Sequence, residues 1–167
     1  ISGSHKGRRL TAPKKLPVRP TTDRSKEALF NILQHQYHWE NMAVLDLFAG
    51  TGSISYEFGS RGVKNITAVD QNKMCLDFIR KTSESLELSV QLTQMDALKY
   101  LSVVKMQFDL IFADPPYDLG TQQYIEIIEK VFDNQLLEQQ GLLILEHSDQ
   151  EKFEQHPKFS QSRKYGS

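Results

Sequence analysis

The chain holds one cysteine, Cys75, among 167 residues, and five scattered histidines, His5, His35, His38, His147 and His156. A lone thiol cannot close an internal disulfide, and nothing sits near it at metal-ligand spacing, so it reads as a small buried apolar residue. The histidines show no paired spacing with a nearby acid; His35 and His38 read as surface or packing residues, and no metal is expected. Apolar runs fall short of the ~20 residues that span a bilayer, and no basic-then-apolar leader is present. A cytoplasmic protein without membrane contact is expected. Internal repeats and low-complexity segments are also missing. The length suffices for one domain with a real core and is too short for two of ordinary size.

Acid is missing from one end. Residues 1–20 carry Lys6, Arg8, Arg9, Lys14, Lys15 and Arg19 and no Asp or Glu, which leaves 14 basic against 21 acidic residues in the rest. The net charge of −1 therefore conceals a local +6 joined to a body of −7. A short basic arm on an acidic body is suited to meeting a polyanion at one place. A merely solubilising terminus is the alternative.

What is present alternates. Residues 1–10 read as two short strands around Lys6-Gly7, followed by a Pro-punctuated extended segment to Pro20. Thr21-Thr22-Asp23 supplies a cap for a helix over about 23–35, with Leu29, Phe30, Ile32 and Leu33 facing inward. Ala43–Phe48 is an almost unbroken apolar run, the pattern of a strand buried on both faces. A helix after Ser53, a strand over 66–69 ending at Asp70, and a helix over 72–86 burying Met74, Phe78, Ile79 and Leu86 follow. Then come a strand over 90–95, a short helix near 97–104, the strand ending at Asp114, an amphipathic helix from Tyr124 to Phe132, and a fifth strand over 141–147. The tail from Lys158 to Ser167 has room for one antiparallel strand. Five strand–helix alternations imply a three-layer α/β fold around a mostly parallel sheet.

In such a sheet, ligands bind beyond the carboxyl ends of the strands. Four carboxylates fall there: Asp46, Asp70, Asp96 and Asp114. Buried acids destabilise a fold unless bonded or solvated, so their gathering at one edge argues for a polar ligand. Gly50-Thr51-Gly52 allows close backbone approach and opens a helix, and Asp70 stands 20 residues after Gly50, where an acid can cap ribose hydroxyls. The dinucleotide pattern would need a third glycine at position 55, which is Ser55. A nucleoside without a pyrophosphate escapes that need, and S-adenosylmethionine is one. Its amino acid end would lie by Asp46, Phe48, Ala49, Gly50, Thr51 and Gly52, its ribose by Asp70 and Gln71, and its adenine by Asp96 and Ala97.

The strand over 108–113 empties into Asp114-Pro115-Pro116-Tyr117. Two prolines end the strand and leave carbonyl oxygens without a helix or strand partner, beside a carboxylate and an aromatic ring. Such a pocket suits a planar base with an exocyclic NH2. The alternative is a turn that only closes a buried strand.

Asp46-Leu-Phe-Ala-Gly-Thr-Gly52 followed by Asp114-Pro-Pro-Tyr117 resembles the class I amino-methyltransferases. Arg19-Pro-Thr-Thr-Asp-Arg24 with Glu27-Ala-Leu-Phe-Asn31, behind Gly3, Gly7, Arg8 and Arg9, is similar to the bacterial enzymes that methylate guanine N2 in 16S ribosomal RNA. The resemblance covers nearly the whole chain. It implies a Rossmann-like methyltransferase domain over 21–167, a basic β-hairpin arm over 1–20, S-adenosylmethionine as cofactor, and ribosomal RNA or a partly assembled small subunit as partner of a monomer. It further implies that Asp114, Pro115, Pro116 and Tyr117 hold the target base. Lys6, Arg8, Arg9, Arg19 and Arg24 would contact RNA phosphates. Family members finish with one more strand after a Lys-Tyr-Gly like Lys164-Tyr165-Gly166, and that edge strand is expected to be missing here. Three other functions compete. DNA adenine-N6 methylation suits the same four-residue motif but lacks a target-recognition insertion. A non-catalytic RNA-binding assembly protein would not need Asp114 and the glycine loop, and a nicotinamide oxidoreductase is disfavoured by Ser55.

Overall fold

The computed structural model describes residues 3–6, 23–116, 118–148 and 151–160. Strands β1 (Ala43–Leu47), β2 (Asn65–Asp70), β3 (Gln91–Gln94), β4 (Phe108–Ala113) and β5 (Leu137–Leu145) alternate with helices α1 (Asp23–Leu33), α2 (Ser53–Ser60), α3 (Lys73–Ser85), α4 (Ala97–Val103) and α5 (Thr121–Asp133). The strands form one sheet in the order β3-β2-β1-β4-β5, with every pairing parallel. The chain leaves β1 toward β2 and β3, then returns to the far side of β1 as β4. Connections after β1 and β4 therefore diverge at the carboxyl edge, the topological position at which open parallel sheets bind ligands.

Alternation along the strands sends successive side chains to opposite faces. Val44, Ile66, Leu110 and Phe112 point to one face, against Phe30 and Leu33 of α1 and Ile54 and Phe58 of α2. On β2 that face also carries Ala68, which packs with Tyr56 of α2 and Leu76 and Ile79 of α3. Leu45, Leu47, Val69, Ile111 and Ala113 point the other way, against Tyr100 and Leu101 of α4 and Ile127 and Val131 of α5. Three layers result, as the sequence implied.

The first layer is tied together by charge as well as by apolar contact. Phe30 and Phe58 meet edge-on at 4.6 Å between centroids, and the Arg61 guanidinium sits 4.7 Å above the Phe30 ring. Buried Glu57 takes Arg61 Nε at 3.0 Å and Lys26 Nζ at 3.8 Å, joining α1 to α2. Gly3 lies against the Ser60 carbonyl at the end of α2, where its positive φ and the absence of a Cβ permit the approach.

Several expectations shift. Met74 is 48% exposed, and Cys75 and Leu76 take the inward positions expected for it. Asn72 starts the helix, its side chain accepting the Met74 and Cys75 N–H groups, and the face that packs inward runs through 75, 76, 79 and 83. Phe78 is only half-buried. The fifth strand starts at Leu137, opposite Phe108, and an irregularity with Gln140 at φ 71° precedes the expected pairing of Leu110 with Leu142. Of the expected arm, only Gly3–Lys6 is described, and Gly3–His5 is a 3-10 turn. The proposed tail strand lies outside the described residues except for Lys158 to Ser160, which carry no strand.

Candidate active site

The loop leaving β1 is built from left-handed residues. Phe48, Gly50 and Gly52 have φ of 55°, 57° and 82°, a conformation that costs a non-glycine residue such as Phe48 on the order of 1–2 kcal/mol. The turn is held from both sides. Ala49 N–H donates to the Val69 carbonyl at 3.0 Å, Gly52 N–H to the Ala49 carbonyl at 2.8 Å, and the Tyr56 hydroxyl to the Thr51 carbonyl at 2.6 Å. A Cβ on Gly52 would lie 2.7 Å from the Tyr56 ring and 2.9 Å from Ile79 Cγ1. Glycine at 52 is thus required by both space and φ.

Asp70, at the end of β2, clasps this loop. Its Oδ2 accepts Gly50 N–H at 2.9 Å and its Oδ1 accepts Asn72 N–H at 2.8 Å. Each carboxylate oxygen has two acceptor positions, so both can still take a ribose hydroxyl. Gln71 is exposed beside it and its carbonyl receives Gln94 Nε2 at 3.4 Å. Asp96 caps α4 by accepting Lys99 N–H at 3.1 Å, and Ala97 behind it is buried. Asp96 therefore has a structural role at the place where the sequence suggested an adenine neighbour.

Asp46 is the innermost acid, 1% exposed, with its Oδ2 accepting the Ser55 hydroxyl at 2.7 Å. Burial pushes its pKa up to about 7 against the pull of the Ser55 bond, and the charges of Asp114 and Asp70 push it further the same way. That influence places the carboxylates at 46, 70 and 114 in one electrostatic group, at the mouths of β1, β2 and β4. All three belong to the sheet face covered by α1, α2 and α3, because 46, 70 and 114 share strand parity with 44, 68 and 112.

The raised value has a definite sign. Between the ordinary carboxylate range and pH ~7 the folded protein holds a proton at Asp46 that the unfolded chain does not. The stability this brings is fully present below that range and is lost as pH rises through about 7. A cationic ligand group paired with Asp46 selects the ionised form, so affinity for such a ligand should grow across the same interval. Removing the hydroxyl in Ser55→Ala should move the midpoint upward by roughly one pH unit, the worth of one charge-assisted hydrogen bond. Calorimetric titration of S-adenosylmethionine at a series of pH values checks this; a pH-independent affinity in both proteins would contradict it.

Asp114 is half-buried, Pro115 buried and Pro116 exposed. Of the two proline carbonyls, that of Pro116 accepts Leu119 N–H at 3.0 Å and closes the turn. Tyr117 lies outside the described residues, as do Arg8, Arg9, Arg19 and the side chain of Arg24; Lys6 is exposed. Among the described residues no group of His, Cys, Asp and Glu could hold a metal.

The donor set discriminates between ligands. Three neighbouring carboxylates repel a pyrophosphate, and Ser55, which stands where a dinucleotide loop has glycine, is fully buried with its hydroxyl on Asp46. A nucleoside bearing an ammonium and a sulfonium meets these groups with opposite charge. In the sequence Ser55 shows only as a missing glycine, and the signal for Asn72 is its place directly before an apolar-periodic run.

The family model described as "Conserved hypothetical protein 95" matches residues 1–167. The chain is 34% identical over 152 residues to "Putative rRNA methyltransferase YlbH" of Bacillus subtilis, covering 88% of this chain and 80% of that protein. It is 31% identical to "Ribosomal RNA small subunit methyltransferase D" of Haemophilus influenzae, covering 87% of this chain and 76% of the other. The solved structure "Putative methyltransferase yhhF from Escherichia coli" superposes with a TM-score of 0.84 at 27% identity, over 100% of this chain and 90% of that one.

Proposed function

Because the chain belongs to the Conserved hypothetical protein 95 family, we propose that it transfers a methyl group from S-adenosylmethionine to the exocyclic N2 amine of a guanine in small-subunit ribosomal RNA. The observation that carries this reading is the gathering of Asp46, Asp70 and Asp114 at the point where the connections after β1 and β4 part.

S-adenosylmethionine, when bound, supplies an electrophilic methyl group. The residues supply position. The Gly50–Gly52 loop gives room, Asp70 takes the ribose hydroxyls, and Asp46 faces the ammonium. An aryl amine is a poor nucleophile because its lone pair is delocalised into the ring. The Asp114 carboxylate and the Pro115 carbonyl accept its two N–H bonds, turn the lone pair toward the methyl carbon, and stabilise the positive charge that develops on nitrogen. The Pro116 carbonyl already accepts Leu119 N–H in the turn that follows. The methylated ammonium is acidic enough to need no strong base. Tyr117 would stack on the base, which must first leave its helix or loop.

The basic arm supplies the phosphate contacts. Its Lys6 is exposed, and Gly3 lies against the C-terminal end of α2. In a filter-binding series over salt concentration, the double charge reversal Arg8→Glu, Arg9→Glu should weaken RNA binding about tenfold or more. It should also flatten the log–log salt slope by about 1.5, at ~0.7–0.9 per lost phosphate contact. Affinity for S-adenosylmethionine should be unchanged. A salt slope equal to that of the wild type would rule the arm out. The transfer itself is tested with tritiated S-adenosylmethionine and small-subunit RNA, where label in N2-methylguanosine is expected; label in adenine, or in DNA only, would overturn the reading.

A further inference from the structure

The β4–β5 ladder continues one residue past the last paired positions. Ala113 pairs with Leu145, and Glu146 N–H donates to the Ala113 carbonyl at 2.9 Å. Glu146 therefore stands in the same rank as Asp114, one strand over, a distance of about 4.8 Å between backbones. Parity places it on the same face. Leu142 and Ile144 pack toward Phe112 and α1, whereas Leu143 and Leu145 pack to the opposite side, so position 146 follows 142 and 144 as Asp114 follows Leu110 and Phe112. Both residues are half-buried. The neighbouring His147 is held elsewhere: its Nδ1 lies 2.7 Å from the Ser148 carbonyl and its ring stands edge-on to Phe153 at 4.9 Å.

Resting on the guanine reading above, we infer that Glu146 selects the base by accepting the N1–H of guanine while Asp114 accepts an N–H of the 2-amine. The chemistry follows from what each purine offers. Guanine presents two adjacent donor positions on this edge, N1–H and N2–H2. Adenine, and also 2,6-diaminopurine, present a lone pair at N1. A carboxylate has acceptors only, so two carboxylates side by side match guanine and repel an N1 lone pair. Asp114 alone would accept any exocyclic amine; the second acid supplies the discrimination.

The experiment compares RNAs carrying guanosine or 2,6-diaminopurine riboside at the target position, both of which have the 2-amine. Wild-type kcat/KM should favour guanosine by at least about tenfold. In Glu146→Gln the side-chain amide can donate to a lone pair or accept from N1–H, so the ratio should fall at least about tenfold, with S-adenosylmethionine affinity unchanged. A wild-type ratio near one overturns the inference without any variant. So does a Glu146→Gln protein that binds cofactor and makes N2-methylguanosine with an unaltered ratio; the guanine reading survives both results. Absence of N2-methylation by wild type on either RNA overturns that reading and this inference together.

Discussion

Asp114→Ala is expected to lower kcat for methyl transfer by about 10²–10³-fold while S-adenosylmethionine still binds. The size follows from the loss of one preorganised acceptor aimed at charge that develops only in the transition state. In the proposed site the ground-state cofactor contacts lie elsewhere, on the glycine loop, Asp46 and Asp70. A secondary effect has the opposite sign to simple damage. The Asp114 charge helps to hold the Asp46 carboxyl protonated. Its removal should ease ionisation of Asp46 and tighten cofactor binding slightly near neutral pH. Single-turnover methylation with tritiated cofactor, paired with calorimetry, separates the two effects; a variant that turns over like wild type would remove Asp114 from the chemistry.

The second large effect is expected at Gly52. Alanine there puts a Cβ 2.7 Å from the Tyr56 ring and 2.9 Å from Ile79, at a φ of 82°. The left-handed conformation costs on the order of 1–2 kcal/mol and the overpacking another 1–3. Tyr56 is buried and bonded to the Thr51 carbonyl, so it cannot step aside without releasing the loop it braces. A loss of about 2–5 kcal/mol in a domain of this size lowers Tm by about 5–15 °C. Cofactor affinity should fall more than global stability accounts for, since the displaced groups are the loop itself. Thermal melts with and without S-adenosylmethionine measure both quantities. A Gly52→Ala protein that the cofactor stabilises as much as it stabilises wild type would show that the loop does not hold it.

The fold was legible because its signals are periodic. Buried parallel strands appear as apolar runs such as Ala43–Phe48, and an acid or a proline marks where each one stops. The meeting of Asp46, Asp70 and Asp114 was also legible, since strand ends in a parallel sheet share an edge. Details that depend on a third element were not. Ser55 bonds Asp46 only because α2 lies back across β1, and no pairwise spacing encodes that contact. Met74 looked internal by composition, but the face that packs on the sheet carries Cys75, Leu76 and Ile79. Position 146 looked like the tail of an apolar strand, and its rank beside Asp114 emerges only once the irregularity around Gln140 sets the register.

The most direct test is mass mapping of modified nucleotides in small-subunit ribosomal RNA from cells lacking this gene, complemented with the wild-type chain or with Asp114→Ala. The account predicts one N2-methylguanosine that is absent without the gene, restored by the wild type and not restored by Asp114→Ala. An unchanged guanine methylation pattern in the deletion, or full restoration by Asp114→Ala, would contradict it.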